Sequence, residues 1–138
     1  MELDVVAWVH IREKRLLTVR ARGRDLLYLP GGKVEPGESP AEAISREVEE
    51  ELGLDLPPGN FTSLGTVVTE PHDQPRYTSV RMVCFTAPYE GPLRPSAEID
   101  ELLLVSPSDR RLLAPASAAA LDLALAHGLL DPDLSSPR

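Results

Sequence analysis

Three glutamates in one short segment have a spacing that could support metal chemistry. Glu47, Glu50 and Glu51 are three and four residues apart, so in an α-helix their side chains are neighbours. At 100° per residue they fall within about 100° of arc. Clustered carboxylate oxygens suit hard divalent cations, Mg²⁺ first and Mn²⁺ second. The spacing therefore predicts a divalent-metal site on one helix face.

The charge distribution supports this interpretation. The chain has 138 residues and a net charge of −8. Residues 35–55 carry −7, whereas residues 1–34 carry +3 and residues 56–138 carry −4. Carboxylates packed this densely repel one another unless a cation neutralises them. A solvated acidic helix face is the alternative. In either case the acidic balance argues against a nucleic acid polymer as a partner.

The segment before the glutamates could contact phosphate. Gly31 and Gly32 allow a ligand to approach the backbone closely, and Lys33 adds a positive charge. Arg20 is the first of three arginines at alternate positions, and the arginine fork matches phosphate oxygens. We therefore take Arg20, Gly31, Gly32 and Lys33 as candidate substrate-binding residues.

A helix over about 40–52 should position the glutamates. Ser39 is a suitable N-cap, Pro40 fits the first helical position, and Glu42 completes a capping box. Gly53 stands where a helix C-terminal glycine belongs. An apolar stripe with a period of four residues predicts the buried face: Ile44, Val48 and Leu52.

The remaining pattern predicts a single α/β domain over residues 1–130. The predicted elements are a hairpin of 3–11 and 15–20, strands at 26–29, 61–69, 77–87 and 102–105, and a C-terminal helix at 115–127. Pro30, Gly31 and Gly32 should end the strand at 26–29. This order favours a mixed sheet with helices packed on it, followed by a frayed tail at 131–138.

Composition excludes several classes of protein. The single cysteine, Cys84, permits neither an intramolecular disulfide framework nor a cysteine-rich zinc site. No apolar run approaches the ~20 residues of a membrane span, and the N-terminus shows no secretory signal. We therefore expect a cytoplasmic protein with no membrane partner, and we leave open whether it forms a homodimer.

The order of these residues matches a known family motif over 23 residues. The nine fixed positions of the Nudix box, GX5EX7REUXEEXGU, are filled by Gly32, Glu38, Arg46, Glu47, Val48, Glu50, Glu51, Gly53 and Leu54. The chain therefore resembles the Nudix hydrolases, which include MutT-like proteins. Outside the box the resemblance is looser but spans most of the chain.

The resemblance implies a fold, a reaction and residue roles. The family fold is an α/β/α sandwich around a mixed β-sheet, and the family hydrolyses the diphosphate linkage of nucleoside diphosphate derivatives with Mg²⁺. Arg46 would orient the glutamates, and Gly32 would leave room for the site. Glu47, Glu50 and Glu51 would bind the metal. Glu38 would support the loop or bind the metal through water.

The resemblance leaves the general base open. In this family the base is either a glutamate of the box or one from a distant loop. The catalytic candidates inside the box are Glu47, Glu50 and Arg46. Glu98 is the candidate outside it, with Glu101 as an alternative, because their segment resembles a family stretch near the site.

The nucleotide substrate is also open. Relatives that hydrolyse oxidised guanine triphosphates read the base with an asparagine near the last strands, whereas the only asparagine here is Asn60. Pro71 is a weak indication of an ADP-ribose enzyme, and Tyr77 of a dinucleoside polyphosphate enzyme. A catalytically idle Nudix domain that binds a nucleotide is the rival interpretation. Such relatives usually lose a metal glutamate, whereas this box is complete.

Overall fold

The computed structural model describes residues 1–132, so residues 133–138 of the expected tail lie outside the described part of the chain. Seven strands and two α-helices follow one another along these residues. The strands are β1 (Glu2–Trp8), β2 (Ile11–Arg12), β3 (Arg15–Ala21), β4 (Gly31–Lys33), β5 (Thr62–Thr69), β6 (Ser79–Thr86) and β7 (Ile99–Val105). The helices are α1 (Pro40–Leu52) and α2 (Pro115–Ala126), and short 3₁₀ turns span Pro58–Asn60 and Pro107–Leu112.

The strands form two sheets. One has the order β4-β1-β6-β5, in which β1 and β6 are parallel and the other pairs antiparallel. The second has the order β2-β3-β7 and is antiparallel throughout. The first sheet is therefore mixed, as expected for this α/β fold.

The two helices cover opposite faces of the mixed sheet, which confirms the expected α/β/α arrangement. Side chains alternate between the faces of β1 because successive residues of a strand point in opposite directions. Leu3 and Val5 pack in the cluster that contains α2, while Val6 and Trp8 pack in the cluster that contains α1. One strand thus contributes to both layers of the core.

The predicted α1 is confirmed with its caps. Ser39 Oγ accepts a hydrogen bond from the Glu42 amide at 3.1 Å, and Glu42 Oε1 accepts one from the Ser39 amide at 2.8 Å. Gly53 ends the helix with φ +68°, a conformation that glycine adopts without steric cost. These local interactions involve only neighbouring residues, so the sequence alone was sufficient to locate the helix.

The predicted hairpin of 3–11 with 15–20 is wrong in its first half. Only Ile11–Arg12 pairs with β3, while β1 leaves that sheet and runs parallel to β6. The apolar run from residue 3 to residue 11 thus breaks after Trp8 and serves two sheets. Periodicity cannot reveal such a break, because both halves are apolar and their partners are distant in sequence.

The strand β4 was not predicted, since Pro30, Gly31 and Gly32 were expected to end the strand at 26–29. Gly31–Lys33 forms β4 and pairs antiparallel with β1, with Gly32 opposite Val6. The expected strand at 26–29 forms only isolated bridges at Leu27 and Tyr28. Glycine is rare inside strands, so this edge strand has no sequence signature, although it carries part of the candidate site.

The later elements agree with the sequence within a few residues. The strands β5 and β6 and the helix α2 lie where they were expected, while β7 begins three residues earlier than predicted. Among residues 1–132, no helix is long and apolar enough to cross a bilayer.

Candidate active site

A cavity of about 680 Å³ brings together the acidic face of α1 and the edge strand β4. Glu47, Glu50 and Glu51 line it from the helix, and Gly31–Lys33 line it from the strand. The cavity thus joins the predicted metal-binding carboxylates to three of the four candidate substrate-binding residues.

The packing of α1 directs these carboxylates toward the cavity. Ile44, Val48 and Leu52 are buried against the mixed sheet, which fixes the rotation of the helix. The neighbouring face, which carries Glu47 and Glu51, is therefore turned toward β4. The apolar stripe sets the position of the acidic face, as the spacing in the sequence predicts.

Arg46 connects the loop before α1 to the helix. Its Nε and Nη2 donate to the two carboxylate oxygens of Glu38 at 2.6 and 3.0 Å, and its Nη1 donates to Glu47 at 2.7 Å. Nη2 also donates to the backbone oxygen of Lys33 at 3.0 Å, and Glu50 lies 3.4 Å from Nη1. The guanidinium thus holds a loop, a strand and two helix positions together.

Glu38 belongs to this supporting network and does not line the cavity. The hydrogen bonds from Arg46 lower the pKa of the Glu38 carboxyl to about 2, so it stays ionised. Its position suits the expected role of supporting the loop, and no direct contact with the cavity supports metal binding.

Glu51 is the most buried of the cavity carboxylates. Its Oε1 accepts a hydrogen bond from the Gly31 amide at 3.1 Å. Burial raises the pKa of the Glu51 carboxyl to about 8, and the nearby Glu47 acts in the same direction. Burial also raises the pKa of Glu47. Burial thus favours the protonated form of both carboxyls where no cation accompanies them.

A Cβ would meet close neighbours at both glycines of β4. A Cβ on Gly32 would lie 2.6 Å from the Cδ and Oε1 atoms of Glu47. A Cβ on Gly31 would collide with the backbone oxygen of Val6. Gly32 was expected to leave room for the site, and the group that occupies this room is the Glu47 carboxylate.

The donor set suits a hard divalent cation in its chemistry. Glu47, Glu50 and Glu51 offer only oxygen atoms, and their crowding favours an added positive charge. Within residues 1–132, however, no three acidic, histidine or cysteine side chains are already gathered closely enough to hold a metal ion. Mg²⁺ is compatible with this arrangement, because it keeps several waters and needs few protein ligands.

Of the candidate site residues outside the Nudix box, some line the cavity and others do not. Glu98 lines the cavity from the loop before β7, and its backbone oxygen accepts from the Arg22 amide at 2.8 Å. Arg20 and Glu101 do not line it, because they pair with each other at 2.6 Å on the adjacent strands β3 and β7. The structure thus places Arg20 in an ion pair outside the cavity lining, so its expected substrate contact stays a prediction without support from the geometry.

In the part of the cavity away from the glutamates, the sequence favoured packing for Tyr28 and an exposed surface position for His72, and it did not place either residue in the site. Tyr28 and His72 line it with ring centroids 6.3 Å apart, and Gln74 lines it from the same loop as His72. An ion pair of 3.0 Å between Arg24 and Asp73 joins the two segments. No spacing in the sequence relates segments this far apart. The apolar side chains beside them come from β1 and β6: Leu3, Val5, Val80 and Met82.

The residues that bore on substrate identity in the sequence lie elsewhere. Asn60, Pro71 and Tyr77 do not line the cavity. Asn60 ends a 3₁₀ turn, and the Tyr77 ring lies 5.9 Å from the Lys33 ammonium nitrogen. They therefore do not discriminate among the substrate classes.

Comparison with protein families agrees with the fold and the motif. The family model described as NUDIX domain matches residues 2–124, most of the chain. The chain therefore belongs to the NUDIX domain family. Members of this family generally use divalent metal ions, which agrees with the oxygen-rich donor set.

Individual relatives show similar features over parts of their length. The human 8-oxo-dGDP phosphatase NUDT18 is 38% identical over 73 residues, which is 53% of this chain and 20% of that protein. The 8-oxo-dGTP diphosphatase of Haemophilus influenzae is 51% identical over 41 residues, 28% of this chain and 30% of that protein. The matches thus span less than a third of either relative.

A solved structure covers almost the whole fold. The crystal structure of a MutT NUDIX hydrolase from Burkholderia pseudomallei superimposes with a TM-score of 0.72 at 26% identity. The match covers 89% of this chain and 98% of that one. The architecture described above is therefore that of a Nudix protein.

Proposed function

We propose that this protein is a Mg²⁺-dependent pyrophosphohydrolase that cleaves the diphosphate linkage of a nucleoside diphosphate derivative or nucleoside triphosphate. Mn²⁺ is the expected substitute. The proposal rests on one observation, the three carboxylates of α1 that line the same cavity as Gly31–Lys33. Glu47, Glu50 and Glu51 would hold the metal.

The two ends of the cavity suit the two parts of such a substrate. The glutamate end repels a diphosphate unless cations are bound between them. Another part of the cavity lining offers the rings of Tyr28 and His72 beside an apolar surface, which suits a nucleoside. Its volume lies within the range of small-molecule sites. The substrate would therefore lie with its diphosphate against α1.

The residues of the chain have separate roles in the proposed reaction. A water oxygen attacks phosphorus, the P–O bond of the anhydride breaks, and the water proton passes to a carboxylate. Bound metal supplies charge neutralisation and lowers the pKa of water. Glu98 is the proposed proton acceptor, since it lines the cavity outside the Arg46 network. Arg46 keeps Glu47 and Glu50 in place, while Gly31 and Lys33 border the diphosphate.

The first substrates to test are oxidised guanine nucleotides. Two relatives are named for 8-oxo-dGDP and 8-oxo-dGTP. The Gln74 amide at the nucleoside end carries both donors and acceptors and can hydrogen-bond to the edge of a base. ADP-ribose, a dinucleoside polyphosphate and the unmodified dNTPs complete the panel.

The test is product release from this panel with Mg²⁺, measured for the wild type and for Glu98→Gln. We expect turnover of at least one nucleotide and a loss of about 10²–10⁴ in kcat when the proton acceptor is removed. Full activity of Glu98→Gln would assign the base to a glutamate of the box. Nucleotide binding without turnover of any panel member would favour the rival, an idle domain that binds a nucleotide.

Two wider expectations remain predictions of the sequence. They are a cytoplasmic location and action on a small molecule in place of a nucleic acid polymer. Homodimer formation also stays open and can be measured by light scattering of the purified protein.

A further inference from the structure

A second recess adjoins the candidate active site. It has a volume of about 410 Å³ and shares three lining residues with the first cavity: Glu70, His72 and Pro115. The glutamates of α1 line only the first cavity, whereas Arg110 and Arg111 line only the recess. The shared residues therefore lie between an acidic end and an end that carries two guanidinium groups.

The two arginines differ in their ion-pair and hydrogen-bond partners. Arg110 forms a bidentate ion pair with Asp122 of α2, at 2.8 and 3.0 Å. Arg111 is exposed and donates one hydrogen bond to the backbone oxygen of Ser108. Among residues 1–132, no carboxylate pairs with Arg111. The other N–H donors of the Arg111 guanidinium have no partner among these residues, so they can bind a ligand.

The chemistry of the ligand follows from the order of charged and aromatic side chains along the first cavity and the recess. We propose that the recess binds a phosphate carried on the ribose of the nucleotide, with Arg111 as its principal contact. This inference rests on the proposed function, which places the diphosphate against α1 and the nucleoside beside Tyr28 and His72. In that arrangement, a substrate group that extends past His72 into the recess is attached to the nucleoside. Arginine presents a planar fork that matches phosphate oxygens.

One acidic group opposes this binding. Glu70 lines the recess and would repel the proposed phosphate, while Asp122 offsets the charge of Arg110. The negative charge of Glu70 thus opposes the positive charge of Arg111, and the preference of the recess for an anion depends on Arg111. Removal of Arg111 and removal of the Glu70 charge should therefore have opposite effects.

Substrate pairs that differ by one ribose phosphate test the inference. The pairs are coenzyme A with dephospho-coenzyme A, and NADPH with NADH. In the wild type we expect kcat/KM to favour the phosphorylated member by about tenfold, the size of one charge-assisted hydrogen bond. Arg111→Ala should remove this preference, and Glu70→Gln should increase it. Arg94→Ala, at an exposed arginine outside both cavities, is the matched control.

A binding measurement separates this inference from the proposed function. Adenosine 3′,5′-bisphosphate should bind about tenfold more tightly than AMP in calorimetry, and only in proteins that retain Arg111. Hydrolysis of other nucleotides with no preference within either pair would overturn the inference and leave the proposed function intact. A preference that survives Arg111→Ala would overturn it as well. No hydrolysis of any nucleotide would count against the proposed function, while the binding comparison would still decide whether the recess takes the phosphate.

Discussion

The helices α1 and α2 cover opposite faces of one sheet but differ in composition and role. α1 buries a single stripe and turns carboxylates toward the cavity, with Ser39 capping its first turn. α2 is rich in alanine and leucine, has no side-chain cap, and buries residues such as Leu121 and Ala124. The difference indicates that one helix carries the proposed chemistry while the other mainly stabilises the fold.

The largest effect should come from the carboxylates of α1. Glu50→Gln keeps the size of the side chain but removes its charge, so we expect kcat to fall by at least about 10²-fold, the scale of a lost transition-state contact. Steady-state turnover of the best panel substrate measures this loss. Glu49→Gln, at an exposed position of the same helix outside the cavity, should retain full activity. Equal activity of the two variants would refute the assignment.

On α2 the largest effect should be on stability. Leu121 is 1% exposed in the core, so Leu121→Ala should lower the free energy of unfolding by about 2–5 kcal/mol through lost contacts and a cavity. Urea denaturation measures the loss. The activity of the folded fraction should stay close to that of the wild type. A loss below 1 kcal/mol would mean that α2 is not a main stabilising element.

The acidic face of α1 should lower the stability of the metal-free protein at high pH. The folded pKa of Glu51 is about 8 and lies above the ordinary value of 4.5, so the folded state holds this proton more tightly than the unfolded state. The contribution of Glu51 to stability is then full below pH 4.5 and is lost as the pH rises from 4.5 through 8, a decline on the order of 5 kcal/mol. Chemical denaturation at pH 5 and pH 9 with chelator measures the decline. Glu51→Gln should flatten it, and an unchanged slope in that variant would exclude Glu51 as the cause.

The smallest effect should be at the cap that distinguishes the two helices. Ser39→Ala removes the acceptor for the Glu42 amide and should cost about 1 kcal/mol of stability. Ser39→Asp keeps a capping oxygen and should cost less. Thermal unfolding of the three proteins measures this order, and equal midpoints would show that the capping box contributes little.

The same contrast explains how much could be predicted from the sequence. Signals for α1 lie within neighbouring residues, and they located both the helix and its carboxylates. The pairing of β1 with β6 and of β4 with β1 depends on residues distant in sequence, so the predicted hairpin was wrong in its first half and the strand β4 was not predicted. Tyr28 and His72 meet only because two loops converge over the sheet, and no local pattern records that.

Metal binding by the helix face tests the central claim most directly. Mn²⁺ titrated into the nucleotide-free protein and followed by calorimetry should bind the wild type and Glu49→Gln equally. Glu47→Gln and Glu51→Gln should each bind it at least about tenfold more weakly, the scale reported for lost support at metal sites. If all four proteins bound Mn²⁺ with the same affinity, the cavity carboxylates would not be the metal ligands, and the proposed reaction would lose its basis.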